Sequence, residues 1–168
     1  MLRMNSSFQQ VEQAIDAVGQ RMPGTSSRQE VLLNRLICHV TTRMTCHLNE
    51  TLRPYGLNDT LWIALITLYT RPDQTINPSE ISDALDFSRT NATRVADELV
   101  KHGWVERALC AEDRRKVRLK LTAKGETFVE SLIPVARSHM QTQWQDFSPD
   151  EKNQLEALMR KLLTSLGG

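Results

Sequence analysis

Apolar residues recur along this chain mostly at helical spacing, and at strand spacing in one region. Phe8, Val11, Ile15 and Val18 fall on one stripe of a predicted helix over residues 8–19, which Gly19 ends and the loop RMPGTSSR follows. A longer helix is predicted from about Gln29 to Leu52, stopping ahead of Pro54 and Gly56. Asn58 or Asp59 caps the next, TLWIALITLYT, whose apolar residues lie on nearly every side, so it belongs at the centre of a core. Arg71-Pro72-Asp73 ends it.

The stretch NPSEISDAL carries a compact start signal: Asn77 as N-cap, Pro78 at the first helical position and Glu80 at the third, reaching back to the cap. Its inward face is Ile81, Ala84 and Leu85. Three residues later Ser88 caps a second helix that Gly103 closes, so two short helices are joined by the tight turn DFS, a helix-turn-helix candidate. WVERAL and KVRLKL then alternate apolar and polar residues around the charged CAEDRR, which predicts a β-hairpin. A helix-turn-helix followed at once by a basic hairpin is a winged-helix arrangement.

After Thr122 a long helix is predicted through TAKGETFVESLIPVARSHMQTQW, bent or interrupted near Pro134. Ser148-Pro149-Asp150-Glu151 is a capping box opening a last helix with Leu155, Leu158, Met159, Leu162, Leu163 and Leu166 on its apolar side. That stripe and the N-terminal one exceed what one small subunit readily buries. Two-fold pairing would cover them, with intramolecular packing as the alternative. The fold class is mainly α with a small β-hairpin.

Composition narrows the function classes. The chain has 168 residues, 40% hydrophobic and 24% charged, ordinary for a globular protein. No apolar run reaches the roughly 20 residues of a membrane helix, and MLRMNSSFQQVEQ lacks the apolar core of a signal peptide, so the expectation is a cytoplasmic protein. Three cysteines, Cys38, Cys46 and Cys110, show no framework spacing and suit reduced thiols. On a continuous helix, His39 and Cys46 stand about 10 Å apart, too far to share one ion, so no metal and no cofactor are expected. Phosphate-cradling loops and the familiar catalytic and metal motifs are missing, which argues against an enzyme.

The formal net charge of +1 conceals an asymmetry. Residues 107–124 hold seven Lys/Arg against two acidic side chains, a local charge of +5 that points to an anionic partner, with double-stranded DNA the leading candidate. A helical wheel from Ser88 puts Ala92, Val95, Ala96 and Leu99 on one arc and Thr90, Arg94, Asp97 and Lys101 on the opposite one, with Arg89, Asn91 and Thr93 on the flanks. A recognition helix offers its N-terminal residues to base edges, where Arg matches guanine and Asn matches adenine bidentately. Ser88 and the first backbone N–H groups suit a phosphate.

The run SRTNATRVADELVKHGWVERALCAEDRRKVRLKLTAKG resembles the core of the MarR family. Its recognition helix, GxVxR, wing DxR and closing LTxxG stand here as Gly103-Trp104-Val105-Glu106-Arg107, Asp113-Arg114-Arg115 and Leu121-Thr122-Ala123-Lys124-Gly125. Within the family the chain is most similar to multidrug-efflux repressors, through SSF, LLxRL, TLxxALITL and SRTNATRxADEL. The resemblance spans nearly the whole chain. It implies a homodimeric winged-helix transcriptional regulator, usually a repressor, that binds a pseudo-palindromic operator and is released by a small aromatic or phenolic effector. Residues 57–121 would form the DNA-binding lobe and residues 1–56 and 122–168 the helical dimerisation region.

The same resemblance makes Arg115 the wing arginine entering the minor groove and Asp113 the carboxylate that orients it, with Arg114 and Lys116 beside phosphates. By position it places effector contacts at His39 and Arg43 on the long helix and Trp62 and Leu65 on the central one. Target genes would be those of multidrug efflux or aromatic-compound catabolism. Two alternatives stay open: a cysteine-based redox sensor of the same family, and a winged-helix module that binds proteins and no DNA.

Overall fold

The computed structural model describes residues 6–24, 27–71, 73, 75–77, 80, 89–109 and 117–167. Among them are helices α1 (Ser6–Arg21), α2 (Arg28–Leu52), α3 (Asp59–Tyr69), α4 (Arg89–Lys101), α5 (Ala123–Gln143) and α6 (Pro149–Ser165), and strands β1 (Thr75–Ile76), β2 (Val105–Leu109) and β3 (Val117–Leu121). The backbone divides into two compact units, residues 1–55 and 56–168.

The first unit is the helix pair α1 and α2. Arg28, in the first turn of α2, donates from Nε to Asp16 of α1 at 2.7 Å, and that hydrogen bond holds the Asp16 carboxyl below the usual carboxylate range. The helix α1 runs on through Gly19 to Arg21, two residues past the predicted stop. Much of the pair's apolar surface is uncovered: Val18, Met22, Val31, Leu33, Leu36 and Val40 are all exposed.

The second unit contains the core. Asn58, rather than Asp59, caps α3, its side chain accepting from the Leu61 N–H at 2.9 Å. Leu61, Trp62, Ala64, Leu65 and Leu68 of α3 are buried, as expected of a helix apolar on nearly every side. It packs on α4, α5 and β3. Tyr69 adds a polar tie to α5 through its hydroxyl, which donates to Glu130 at 3.3 Å.

The expected hairpin is there as β2 and β3, antiparallel, with Val105 opposite Leu121 and Leu109 opposite Val117. A third strand joins it: Thr75 and Ile76 pair with Lys120 and Leu119, giving the order β1-β3-β2. Two residues carry no readable alternation, which is why the hairpin alone was expected. Pro134 does not interrupt α5, which continues from Ala123 to Gln143. Its missing N–H orphans the Glu130 carbonyl, but both residues are exposed and water can satisfy that group. The predicted capping box of α6 is complete, with Ser148 N–H donating to Glu151 Oε2 at 2.8 Å and Glu151 N–H to Ser148 Oγ at 3.3 Å.

Candidate nucleic-acid interface

The geometry of the interface starts with what anchors α4. Ala92, Val95, Ala96 and Leu99 are at most 1% exposed, so the arc read from the helical wheel is the sealed face. Its C-terminus ends in a Schellman arrangement: Gly103 N–H donates to Val100 O at 2.9 Å and Trp104 N–H to Leu99 O at 3.2 Å, with Gly103 at φ +73°. Lys124 Nζ donates to the His102 carbonyl at 2.8 Å, placing a cation at the negative end of the helix dipole.

Beyond that cap the chain is clamped by aromatic packing. The rings of His102, Trp104 and Phe128 stack in sequence, with centroids 4.2 and 4.4 Å apart and planes within 8° of parallel. Trp104 is buried between them. In the sequence Trp104 is only one letter of the GxVxR motif, and nothing in the spacing reveals that His102 and Phe128 reach its two faces. The stack joins the end of α4, the residue preceding β2 and the first turns of α5.

The opposite face of α4 points outward. Thr93, Arg94, Asp97 and Lys101 are exposed and Asn91 is half-buried. Arg94 donates from Nε and Nη2 to Asn91 Oδ1 at 3.2 and 3.0 Å, and from Nη1 to Glu98 Oε2 at 3.5 Å. Asp97 pairs with Arg107 of β2. Arg107 lies two residues along the strand from the buried Val105 and has the buried Leu119 opposite it in register.

Polar bonds also fix the entrance to the helix-turn-helix. Glu80 Oε2 accepts from the Asn77 N–H at 2.7 Å, the reach-back predicted from NPSE, and Oε1 accepts from Arg71 Nη1 at 2.9 Å. The Asn77 N–H first, and the Arg71 guanidinium after it, hold the Glu80 carboxyl below its ordinary value against the opposing effect of burial. Asp73 accepts from the Thr75 N–H at 3.2 Å and from the Thr75 hydroxyl, and lies 3.9 Å from Arg118 of β3.

Ser88 and the wing residues Asp113, Arg114, Arg115 and Lys116 lie outside the described residues, as do Cys110 and most of the first helix of the helix-turn-helix. Arg89 and Thr90 are helical in backbone. His39, half-buried on α2, sits 5.4 Å from the ring of Phe8, and its buried Nε2 has no hydrogen-bond partner among the described residues. Arg43 is exposed, with Nη2 3.4 Å from His47 Nε2. Trp62 and Leu65 are buried on α3. An open groove of about 570 Å³ in the second unit is lined instead by Trp104, Ala123, Lys124, Thr127, Phe128 and Ser131. Cys38 and Cys46 are exposed thiols on α2, and eight residues of helical rise, about 12 Å, keep them from a disulfide with each other. No helix among the described residues is long and apolar enough to cross a membrane.

Comparison with known proteins agrees with this geometry. A sequence model of the MarR family matches residues 55–116. The transcriptional repressor MprA of Escherichia coli K12 is 43% identical over 163 residues, 97% of this chain and 92% of that protein. The HTH-type transcriptional regulator PrsX of E. coli is 37% identical over 138 residues, 82% of this chain and 83% of its own length. Among solved structures, a cysteine-to-serine mutant of E. coli MarR complexed with operator DNA superposes with a TM-score of 0.72 at 30% identity, covering 83% of this chain and 99% of that one. With identity of that order over nearly its whole length, this chain belongs to the MarR family of transcriptional regulators and is not an enzyme.

Proposed function

We propose that the chain acts in the cytoplasm as a homodimeric repressor that binds a pseudo-palindromic operator and leaves it when a small aromatic or phenolic effector binds. The observation that carries this reading is the two-sided character of α4. One face is sealed into the core and the other holds Asn91, Thr93 and Arg94 outward near the helix start, as a helix entering the major groove requires. Ser88, Arg89 and Thr90 precede them in the sequence and suit phosphates and base edges at the same tip. Asp113, Arg114, Arg115 and Lys116 are the proposed wing contacts, with the minor groove as the proposed partner of Arg115. The repressor name of MprA and the operator complex of MarR support the reading.

Self-association is supported by α6. Its leucines and methionine are 37–65% exposed from Leu155 to Leu163, and Leu166 just beyond is 76% exposed. Every residue of that helix is exposed within one chain. A two-fold pair with one recognition helix each predicts half-sites about 34 Å apart, one helical turn of DNA. His39, Arg43, Trp62 and Leu65 are the proposed effector contacts, with Arg43 as the cation for a carboxylate or phenolate. Genes of multidrug efflux or aromatic-compound catabolism are the proposed targets.

The test is fluorescence anisotropy of the full chain on labelled genomic fragments over rising salt. Neutralising six to ten phosphates makes affinity fall by about 10³–10⁵ between 50 and 200 mM salt. Arg115→Ala lowers affinity for every sequence. A flat salt response would leave only the protein-binding alternative. A thermal-shift screen of phenols and aromatic carboxylic acids, followed by release of DNA with each hit, tests the effector.

A further inference from the structure

We propose that Asn91 and Glu98 are positioning residues that aim Arg94, and that each half-site carries a guanine read by the part of the guanidinium they leave over. The inference rests on the DNA-binding reading above and adds to it the identity of one base. Arg94 lies on the outward arc of α4 with 62% of its side chain exposed. Asn91 stands one turn before it and Glu98 one turn after, the spacing at which helix side chains meet.

A guanidinium has five N–H bonds: one on Nε and two on each terminal nitrogen. Asn91 Oδ1 takes one from Nε and one from Nη2, and Glu98 takes one from Nη1. Among the described residues that leaves one N–H on each terminal nitrogen, a two-pronged donor. In the major groove only guanine offers two acceptors on one base, O6 and N7, to such a fork. Adenine pairs an acceptor with a donor.

The clamp also redirects Asn91. Reading adenine requires its Oδ1 to accept from the base N6, but that oxygen already accepts twice from Arg94. The adenine match expected from residue type alone is therefore spent inside the protein. Glu98 argues in the same direction. A carboxylate beside an arginine opposes a purely electrostatic phosphate contact, yet it fixes the rotamer of a side chain that must meet a base edge squarely, so the ordering precedes DNA arrival.

The experiment is selection of bound duplexes from a random 30-base-pair pool by the full-length protein and its variants, with sequencing of the bound fraction and circular dichroism to verify folding. The wild type is expected to enrich a guanine in each half-site, and Arg94→Ala to erase that preference. Asn91→Ala and Glu98→Ala, which remove the acceptors, are expected to reduce it about tenfold at the same position, within the range of one bidentate contact. Asn91→Asp retains the acceptor oxygen but has no amide donor for adenine, so it keeps the guanine preference. Loss of preference at a separate adenine in Asn91→Ala, or a guanine preference indifferent to both Asn91→Ala and Glu98→Ala, overturns this proposal alone. A wild type that enriches no sequence overturns the DNA-binding reading, and this proposal with it.

Discussion

Replacing Gly125 with alanine normally helps a helix, because alanine loses less backbone entropy than glycine, by about 1 kcal/mol. Here the sign reverses. A Cβ on Gly125 would stand 2.0 Å from the Trp104 carbonyl oxygen, 2.9 Å from its carbon and 3.0 Å from Leu121 Cδ1. That oxygen is not free to retreat, since it accepts from the Thr122 N–H at 3.0 Å, and the Thr122 hydroxyl, shared between the Gly103 carbonyl at 2.8 Å and this one at 3.1 Å, crowds it further. Thr122 in turn caps α5 by accepting from the Gly125 N–H at 3.0 Å. The methyl group thus collides with backbone at the junction of β2, β3 and α5. Overpacking costs about 1–3 kcal/mol and each strained hydrogen bond about 1 kcal/mol more, so after the helix gain Gly125→Ala is expected to lose about 2 kcal/mol. For a chain of this size that lowers the melting temperature by about 4–8 °C. Thermal denaturation at one fixed protein concentration measures it, because self-association makes the midpoint concentration-dependent. Gly19→Ala is the control: it lies inside α1 with no atom of the described residues within 4 Å of the added methyl, and is expected to raise the midpoint. A Gly125→Ala protein as stable as the parent would refute the close-approach account of the LTxxG motif.

Two further outcomes follow from charge and from uncovered surface. Glu80 and Asp73 have folded-state affinities for protons depressed by the hydrogen bonds of Asn77 and Thr75, so the stability they contribute is present above their unfolded values and lost as pH falls. Chemical denaturation is expected to give constant contributions above about pH 5 and a decline below it, and Glu80→Gln should remove part of that decline. Leu158→Glu together with Leu163→Glu places two charges on exposed positions of α6, which leaves the core of a single chain intact. Sedimentation is expected to show the double variant as a monomer with unchanged helicity. A dimer of undiminished strength would remove α6 from the interface.

The helix starts at Asn58, Thr122 and Ser148, the sealed arc of α4 and the hairpin were all written in local sequence. Caps, periodicity and left-handed glycines act over one or two turns, so residue order alone fixes them. The third strand, the ring stack around Trp104, the Arg107 pair with Asp97 and the uninterrupted passage of α5 through Pro134 were not. Each joins residues distant in the chain, or depends on whether water reaches a freed carbonyl, and only the folded surroundings settle that. The outward tip of α4 stands between the two cases. Which side chains face outward followed from a period of 3.6, whereas which of them hold one another, and so what remains for a partner, was decided by rotamers that exist only once the core has fixed the helix.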